Sequence, residues 1–132
     1  MFARLFAPTL EVSAHCDLPC GVYDPAQARI EAESIKAVIA KANDSTDPDF
    51  RTRAVIIKEQ RSELVKHHLW VLWTDYFKAP HFEKYPQLHT LFNEPPSSRR
   101  LRHQGTLDAA VADQLLAKID EIAEIFWETK KA

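Results

Sequence analysis

The two cysteines of the chain, Cys16 and Cys20, stand four positions apart and directly follow His15, the first of six histidines. Thiolates are strong ligands for soft metal ions, and histidine supplies nitrogen donors. A proline and a glycine bracket the second cysteine, and this composition predicts a tight loop that turns both sulfurs inward. Residues 15–24 are therefore a candidate metal-binding hook.

The spacing of the cysteines alone leaves other interpretations open. Two cysteines in a reducing compartment are usually small apolar residues or sometimes a redox pair, so a thiol–disulfide module is one alternative. The pattern supplies two of the four ligands of a structural zinc site, and no second pair has zinc-finger spacing. His67 and His68 are adjacent, so on a helix they point about 100° apart and cannot chelate one ion together. A metal hook would need donors beyond its thiolates.

Length, charge and composition exclude several classes of protein. A chain of 132 residues forms one domain with a sizeable core. Its formal net charge of −2 provides no basic field for nucleic acid. No apolar run approaches the roughly 20 residues that a transmembrane helix needs, so no membrane partner is expected. Only two glycines, with the prolines clustered between periodic segments, predict an all-helical chain.

Two Asp-Pro steps mark the starts of two long helices. Asp24-Pro25 and Asp47-Pro48 each offer an N-cap followed by a first-turn proline. The turn before the second step is short, so the two helices should be antiparallel neighbours. We expect an all-α, up-down-up-down four-helix bundle, with helices over about 25–42, 48–77, from 86 onward, and from about 107 to 129. The connector 79–86 should hold at most one helical turn.

Apolar residues at helical spacing mark the faces that should be buried. The predicted core positions are Ala28, Ala32, Ile35, Val38, Ile39 and Ala42 on the first helix; Val55, Leu64, Val65, Leu69, Leu72, Trp73 and Tyr76 on the second; and Leu107, Val111, Leu115, Ile119, Ile122 and Phe126 on the fourth.

The first hairpin predicts an ion pair. If the chain folds back near position 46, Glu31 on the first helix and Arg61 on the second lie at equal height. A carboxylate and a guanidinium at one level can pair, and partial burial would strengthen them. The alternative is a solvated surface pair worth well under ~1 kcal/mol.

The hook is more specific than its spacing, because its sequence resembles the mature amino terminus of the nickel-containing superoxide dismutases. The residues that carry the resemblance are His15-Cys16-Asp17-Leu18-Pro19-Cys20-Gly21-Val22-Tyr23-Asp24-Pro25. Similarity continues over 26–34, 57–61, 72–73, 75–78, 80–86 and 125–132, and weakens across about 93–114.

The resemblance implies a superoxide dismutase that converts superoxide into hydrogen peroxide and oxygen at a Ni(II)/Ni(III) redox site. It implies one nickel ion per subunit, with His15, Cys16 and Cys20 as ligands. Anionic thiolate donors suit this chemistry, because they lower a nickel potential that is otherwise far too high. A nickel- or copper-binding protein without turnover, using the same hook, is the alternative.

Further roles around the metal follow from the same resemblance. Glu31 and Arg61 would orient the imidazole ligand, as outer partners do at metal sites generally. Tyr23 and Tyr76 would line the approach and hold water, and Asp17 would brace the hook. Packing against the bundle is the alternative role for both tyrosines.

Residues 1–14 are expected to be a leader that is removed on maturation, leaving residues 15–132 as the bundle domain. Val12-Ser13-Ala14 resembles a signal-peptidase site, but Pro8 and Glu11 break the apolar run, so secretion is disfavoured and a cytoplasmic location is expected. The resemblance implies a dedicated maturation peptidase that exposes His15. It also implies a homohexamer, in which Trp70, Trp73 and Trp127 would serve either the interfaces or the core.

Overall fold

The computed structural model describes residues 21–93 and 107–131, and within these ranges the chain forms helices and no strand. The donors His15, Cys16 and Cys20, together with Asp17, and the whole predicted leader lie outside the described residues. The helices are α1 (Ala26–Asn43), α2 (Pro48–Val71), α3 (Ala79–Lys84), α4 (Gln87–Asn93) and α5 (Ala109–Lys131), with one π-helical turn (Leu72–Tyr76) continuing α2. The predicted all-α class is confirmed. No helix in the described ranges is both long enough and apolar enough to cross a membrane.

Both Asp-Pro steps begin helices as predicted, although their capping differs. At α2, the Asp47 carboxylate accepts a hydrogen bond of 3.0 Å from the Asp49 N–H, with Pro48 as the first helical residue. At α1, the helix begins one residue later than predicted, at Ala26. The Asp24 carboxylate accepts a 2.8 Å bond from the Ala26 N–H across the intervening proline. The start of α1 is therefore fixed directly after the hook.

The α1–α2 turn closes the predicted antiparallel hairpin. The Arg51 guanidinium donates to the Ala42 carbonyl at 2.6 Å, which satisfies an acceptor in the last turn of α1. α1 then packs along α2 on one side and along α5 on the other. α1 is thus the central helix of the bundle, and its first turn carries the hook.

The core is built from the predicted apolar stripes of α1, α2 and α5. Five of the six positions predicted on α1 are buried, and Val38 is half-buried. On α5, five of the six predicted positions are buried, and Leu107 lies half-buried just before the helix begins. The core cluster on these helices comprises Ala28, Ala32, Ile35, Ile39, Val65, Leu69, Val111, Ala112, Leu115, Ile119, Ile122, Ile125 and Phe126.

Two expectations for the second helix were wrong. Leu64 keeps 39% of its surface exposed, whereas Lys58, which no apolar pattern can reveal, is fully buried and lies 3.0 Å from the Glu59 carboxylate. The helix also does not run regularly to Phe77. Its last turn widens, and the Phe77 N–H donates to the Leu72 carbonyl five residues earlier.

The connector contains slightly more helix than predicted, because α3 extends over six residues. Its residues serve packing. Phe82 and Tyr85 lie against the core, and His81 accepts the Lys78 N–H at its Nδ1 atom at 3.1 Å. Trp73 joins the same aromatic packing, with its ring centroid 4.7 Å from that of Phe82.

Candidate metal centre

The described chain begins at Gly21, one residue after the second predicted thiolate ligand. Within residues 21–93 and 107–131, no three His, Cys, Asp or Glu side chains are grouped closely enough to hold a metal ion. The described residues that the sequence assigns to the surroundings of the metal are Tyr23, Glu31, Arg61 and Tyr76. The structure brings these four together as two pairs.

Glu31 and Arg61 form the ion pair predicted from the hairpin. Arg61 Nη1 lies 3.0 Å from one Glu31 carboxylate oxygen and 3.3 Å from the other. Only 14% of the Glu31 side chain is exposed, against 44% for Arg61. The pair is therefore more than a solvated surface contact, because the carboxylate is largely withdrawn from water and a single guanidinium nitrogen serves both of its oxygens.

His68 lies near this ion pair and was not predicted as part of the site. It is seven residues after Arg61, so it lies on the same face of α2 about 10 Å further along. Burial lowers the pKa of His68 below its ordinary 6.5, the neighbouring His67 lowers it further, and the Glu31 carboxylate opposes both. Glu31 thus acts on two groups of α2, Arg61 and His68.

Tyr23 and Tyr76 form the second pair. Their rings meet edge to face with centroids 5.8 Å apart. Tyr76 is the last residue of the π-helical turn. Its ring also packs against that of Phe126 on α5, with the ring centroids 4.4 Å apart. π-Helical turns within α-helices occur often at functional sites. Here the turn places a residue from the end of α2 against the loop that leaves the hook.

Thr129 orients the phenol of Tyr76. The Thr129 hydroxyl donates its only proton to the Phe126 carbonyl at 2.7 Å. Its oxygen also lies 2.7 Å from the Tyr76 hydroxyl, so the phenol must be the donor in that contact. The Tyr76 oxygen therefore keeps its lone pairs for groups on its other side.

Lys130 is the next residue of α5 and joins the same cluster. Its ammonium donates to the Gly21 carbonyl at 3.3 Å and lies 5.3 Å from the Tyr76 ring centroid. Neither Thr129 nor Lys130 was predicted, because apolar periodicity marks only Phe126 in this turn. The sequence similarity over residues 125–132 could have pointed to Thr129 and Lys130, because it continues past the core residue Phe126.

Comparison with protein families gives a match of the chain to the model for nickel-containing superoxide dismutase over residues 10–130. The chain is 61% identical over 132 residues to a curated superoxide dismutase [Ni] of Streptomyces coelicolor, and each protein is covered completely. The superoxide dismutase [Ni] of Streptomyces seoulensis is also 61% identical over the same full length.

Solved structures show the same similarity in three dimensions. The native structure of nickel superoxide dismutase matches with a TM-score of 0.82 and 60% sequence identity, covering 89% of this chain and 100% of the solved chain. A structure with the nickel ligation of the oxidised state matches with a TM-score of 0.81, also at 60% identity. These structural matches agree with the four-helix bundle that the sequence predicts.

Proposed function

The chain belongs to the nickel-containing superoxide dismutases, and we propose that His15, Cys16 and Cys20 hold its nickel ion, one per subunit. The chain is a superoxide dismutase, which converts two superoxide anions and two protons into hydrogen peroxide and oxygen. The observation that carries this conclusion is the family match over residues 10–130, which contains the complete hook.

The donor set fits the metal. Two thiolates, with nitrogen donors from His15 and the backbone, are the anionic and strongly donating ligands that favour a higher oxidation state of nickel. Nickel, when bound, supplies the one-electron redox chemistry between its +2 and +3 states. The protein supplies the ligands, their orientation and the access of the anionic substrate.

Glu31 is proposed to accept the N–H of the His15 imidazole, and Arg61 to hold Glu31 in place. The support is the low exposure of the Glu31 side chain, 14%, and its two contacts with Arg61. A largely buried carboxylate that is already oriented can fix an imidazole ligand with little further loss of conformational freedom.

Tyr23 and Tyr76 are proposed to line the approach to the metal and to hold water there, and Asp17 to brace the hook. The edge-to-face pair that Tyr23, near the end of the hook, forms with Tyr76 supports this assignment. The fixed donor direction of the Tyr76 phenol refines it. Towards Thr129 the phenol is a donor, so towards a water molecule it acts as an acceptor.

Residues 1–14 are proposed to be removed by a maturation peptidase. With the leader attached, the backbone nitrogen of His15 is an amide, which is a poor ligand unless it is deprotonated; after cleavage it is an amine. The match to the native nickel superoxide dismutase covers all of the solved chain but 89% of this chain. Residues 15–132, the proposed mature protein, are also 89% of this chain.

The mature protein is proposed to be a cytoplasmic homohexamer. Trp70 and Trp127 support assembly, because 60% and 48% of their surfaces are exposed in the single subunit. Tryptophan is enriched in the buried parts of protein interfaces. Trp73, in contrast, lies in the aromatic packing of the subunit itself.

Maturation and the thiolates can be tested together, by comparing the uncut chain, the trimmed chain and the trimmed variants Cys16→Ser and Cys20→Ser. We expect stoichiometric nickel and superoxide dismutation in the trimmed wild type alone, with unchanged helical circular dichroism in both variants. Full activity in a chain that still starts at Met1 would refute the maturation step. Retained activity in either serine variant would refute the ligand assignment.

The same experiment separates the two alternative functions. A metal store without turnover would bind nickel or copper in the trimmed chain but would leave the decay of superoxide unchanged. A thiol–disulfide module would lose its activity in the serine variants yet would need neither His15 nor any metal.

A further inference from the structure

We propose that Lys130 is a positioning residue that fixes the exit of the nickel hook by holding the Gly21 carbonyl. This inference rests on the proposed function, in which Cys20, the residue before Gly21, binds nickel. It assigns a role to a side chain of the last turn of α5, more than a hundred residues away in the sequence.

Lys130 itself is held in place by the aromatic residues beneath it. Lys130 lies four residues after Phe126, so the two share one face of α5. The ammonium lies 5.5 Å from the Phe126 ring centroid and 5.3 Å from that of Tyr76, and both distances are within the range of cation–π attraction. A lysine on a bare surface would lose more side-chain entropy in forming one hydrogen bond.

Gly21 presents its carbonyl to this ammonium through an unusual backbone conformation. Its φ is +94°, and it is the only described residue with positive φ. A Cβ added at Gly21 would meet no atom within 4 Å, so the backbone conformation and not lack of space favours glycine here. The backbone turn at Gly21 and the contact of its carbonyl with Lys130 therefore both act on the chain at this residue.

The segment that follows is tied down a second time. The Asp24 carboxylate accepts the Ala26 N–H at 2.8 Å, and this bond joins the loop to α1. Between the two anchors, the Tyr23 ring meets that of Tyr76. The last residues of the hook are thus attached to α5 at Gly21, to the end of α2 at Tyr23 and to α1 at Asp24.

The bond to Gly21 is the anchor nearest to the proposed ligands. If it is lost, the peptide after Cys20 gains freedom, and the thiolate of Cys20 is less firmly placed. An exposed hydrogen bond as long as this one corresponds to about a threefold to tenfold change in an equilibrium. The effect should therefore appear in nickel retention as well as in turnover.

The central variant is Lys130→Met, which keeps the length of the side chain but removes the ammonium. Lys131→Met is a matched control, because Lys131 is exposed and lies in the same last turn. The control substitution removes the same charge as Lys130→Met. Lys130→Arg keeps a cation and hydrogen-bond donors, and it should rescue the function. All variants are prepared as trimmed chains that begin at His15 and extend to the natural carboxyl terminus.

The first measurement reports on the contact before any nickel is added. The chain has only two glycines, so labelling glycine with carbon-13 at the carbonyl gives two signals. We expect Lys130→Met to shift the Gly21 signal, and Lys131→Met and Lys130→Arg to leave it near its wild-type position. An unshifted Gly21 signal in Lys130→Met would overturn the proposal.

The second measurement is the rate at which a strong chelator removes nickel from the loaded protein. We expect Lys130→Met to lose nickel about threefold to tenfold faster than wild type, with the other two variants near wild type. Equal rates in all four proteins would overturn the proposal. So would reduced turnover with unchanged nickel loss, since it would make Lys130 a group that attracts the superoxide anion by charge. If wild type bound no nickel, the proposed function would fall, and the Gly21 signal alone would decide the contact.

Discussion

The ion pair of Glu31 with Arg61 and the cluster of Tyr23, Tyr76 and Lys130 are proposed to support the same hook in different ways. The ion pair joins two helices that are neighbours in sequence, and its burial is uneven, because 14% of Glu31 and 44% of Arg61 is exposed. The aromatic cluster draws on three segments that are far apart in sequence. The ion pair acts through charge, whereas the aromatic cluster acts mainly through packing and directed hydrogen bonds.

This difference predicts which property of the metal site each group controls. Glu31 is proposed to touch the imidazole ligand, so its loss should change turnover while most of the nickel remains bound. The aromatic cluster touches the chain that leaves the hook, so its loss should change how firmly the hook is held. Variants in each group therefore separate redox function from retention of the metal.

The largest effect is expected from the ion pair. Glu31→Ala and Arg61→Ala, in trimmed and nickel-loaded protein, should each lower turnover by about 10- to 100-fold, as is typical when an outer partner of a metal ligand is lost. Nickel content should stay close to that of wild type. The electron paramagnetic resonance signal of Ni(III) should weaken, because the imidazole would be less well oriented.

Glu33→Ala is the matched control for the ion pair. Glu33 pairs with Arg29 at 2.6 Å on the same helix, but both side chains are about half exposed, and such pairs contribute little. The double variant of Glu31 and Arg61 should be little worse than the more severe single variant, because the two residues act as a unit. Wild-type turnover and spectra in both single variants would show that the pair is only structural.

The two groups also differ in how far the sequence predicts them. The height of a residue in an antiparallel hairpin follows from its distance to the turn, so Glu31 and Arg61 could be paired without a structure. The Asp-Pro steps located the starts of α1 and α2 for a similar reason, because capping and the proline φ are local properties. The stripes of α1 and α5 were predictable from a simple period.

The remaining features depend on tertiary contacts that no period encodes. The π-helical turn moves Tyr76 out of the register of α2. Leu64, an apolar residue, is exposed, whereas Lys58, a charged residue, is buried. Thr129 and Lys130 gain their roles only when the end of α5 meets the loop after the hook. The hook itself is predicted from the sequence, and its proposed donors lie outside the residues that the structure describes.

A smaller effect is expected from the hydrogen bond between Tyr76 and Thr129. Thr129→Val removes the acceptor of the phenol at nearly constant volume, and it should lower the free energy of unfolding by about 1 kcal/mol. Tyr76→Phe should cost a similar amount. Adding Tyr76→Phe to Thr129→Val should change little, because both substitutions break the bond between the two hydroxyls. Thr129→Val alone also removes the bond to the Phe126 carbonyl.

Urea unfolding of the two single variants and the double variant measures this coupling. Thr90→Val is the control, since Thr90 is exposed on α4, and it should leave the free energy of unfolding nearly unchanged. Fully additive losses in the double variant would contradict the bond. We also expect turnover to fall less than in Glu31→Ala, because the phenol orients groups around the hook without holding the imidazole.

The smallest effect concerns His68, which connects the ion pair to the pH dependence of stability. Burial is the main cause that lowers the pKa of His68, followed by His67, whereas Glu31 acts in the opposite direction. As the pH falls below about 6.5, His68 takes up its proton in the unfolded chain before it does so in the folded chain. The unfolded state then binds more protons, so the free energy of unfolding decreases as the pH falls through this window.

We therefore expect wild type to lose more stability between pH 7.5 and pH 5.5 than His68→Gln, which cannot titrate at this position. Glu31→Ala should increase the loss, because it removes the carboxylate that holds the His68 pKa up. Urea unfolding at the two pH values measures these differences, and the matched surface variant Glu33→Ala should behave like wild type. Identical pH dependence in wild type, His68→Gln and Glu31→Ala would show that the carboxylate acts on Arg61 alone. A larger loss in Glu31→Ala would show that the ion pair also keeps its neighbouring imidazole from destabilising the hairpin.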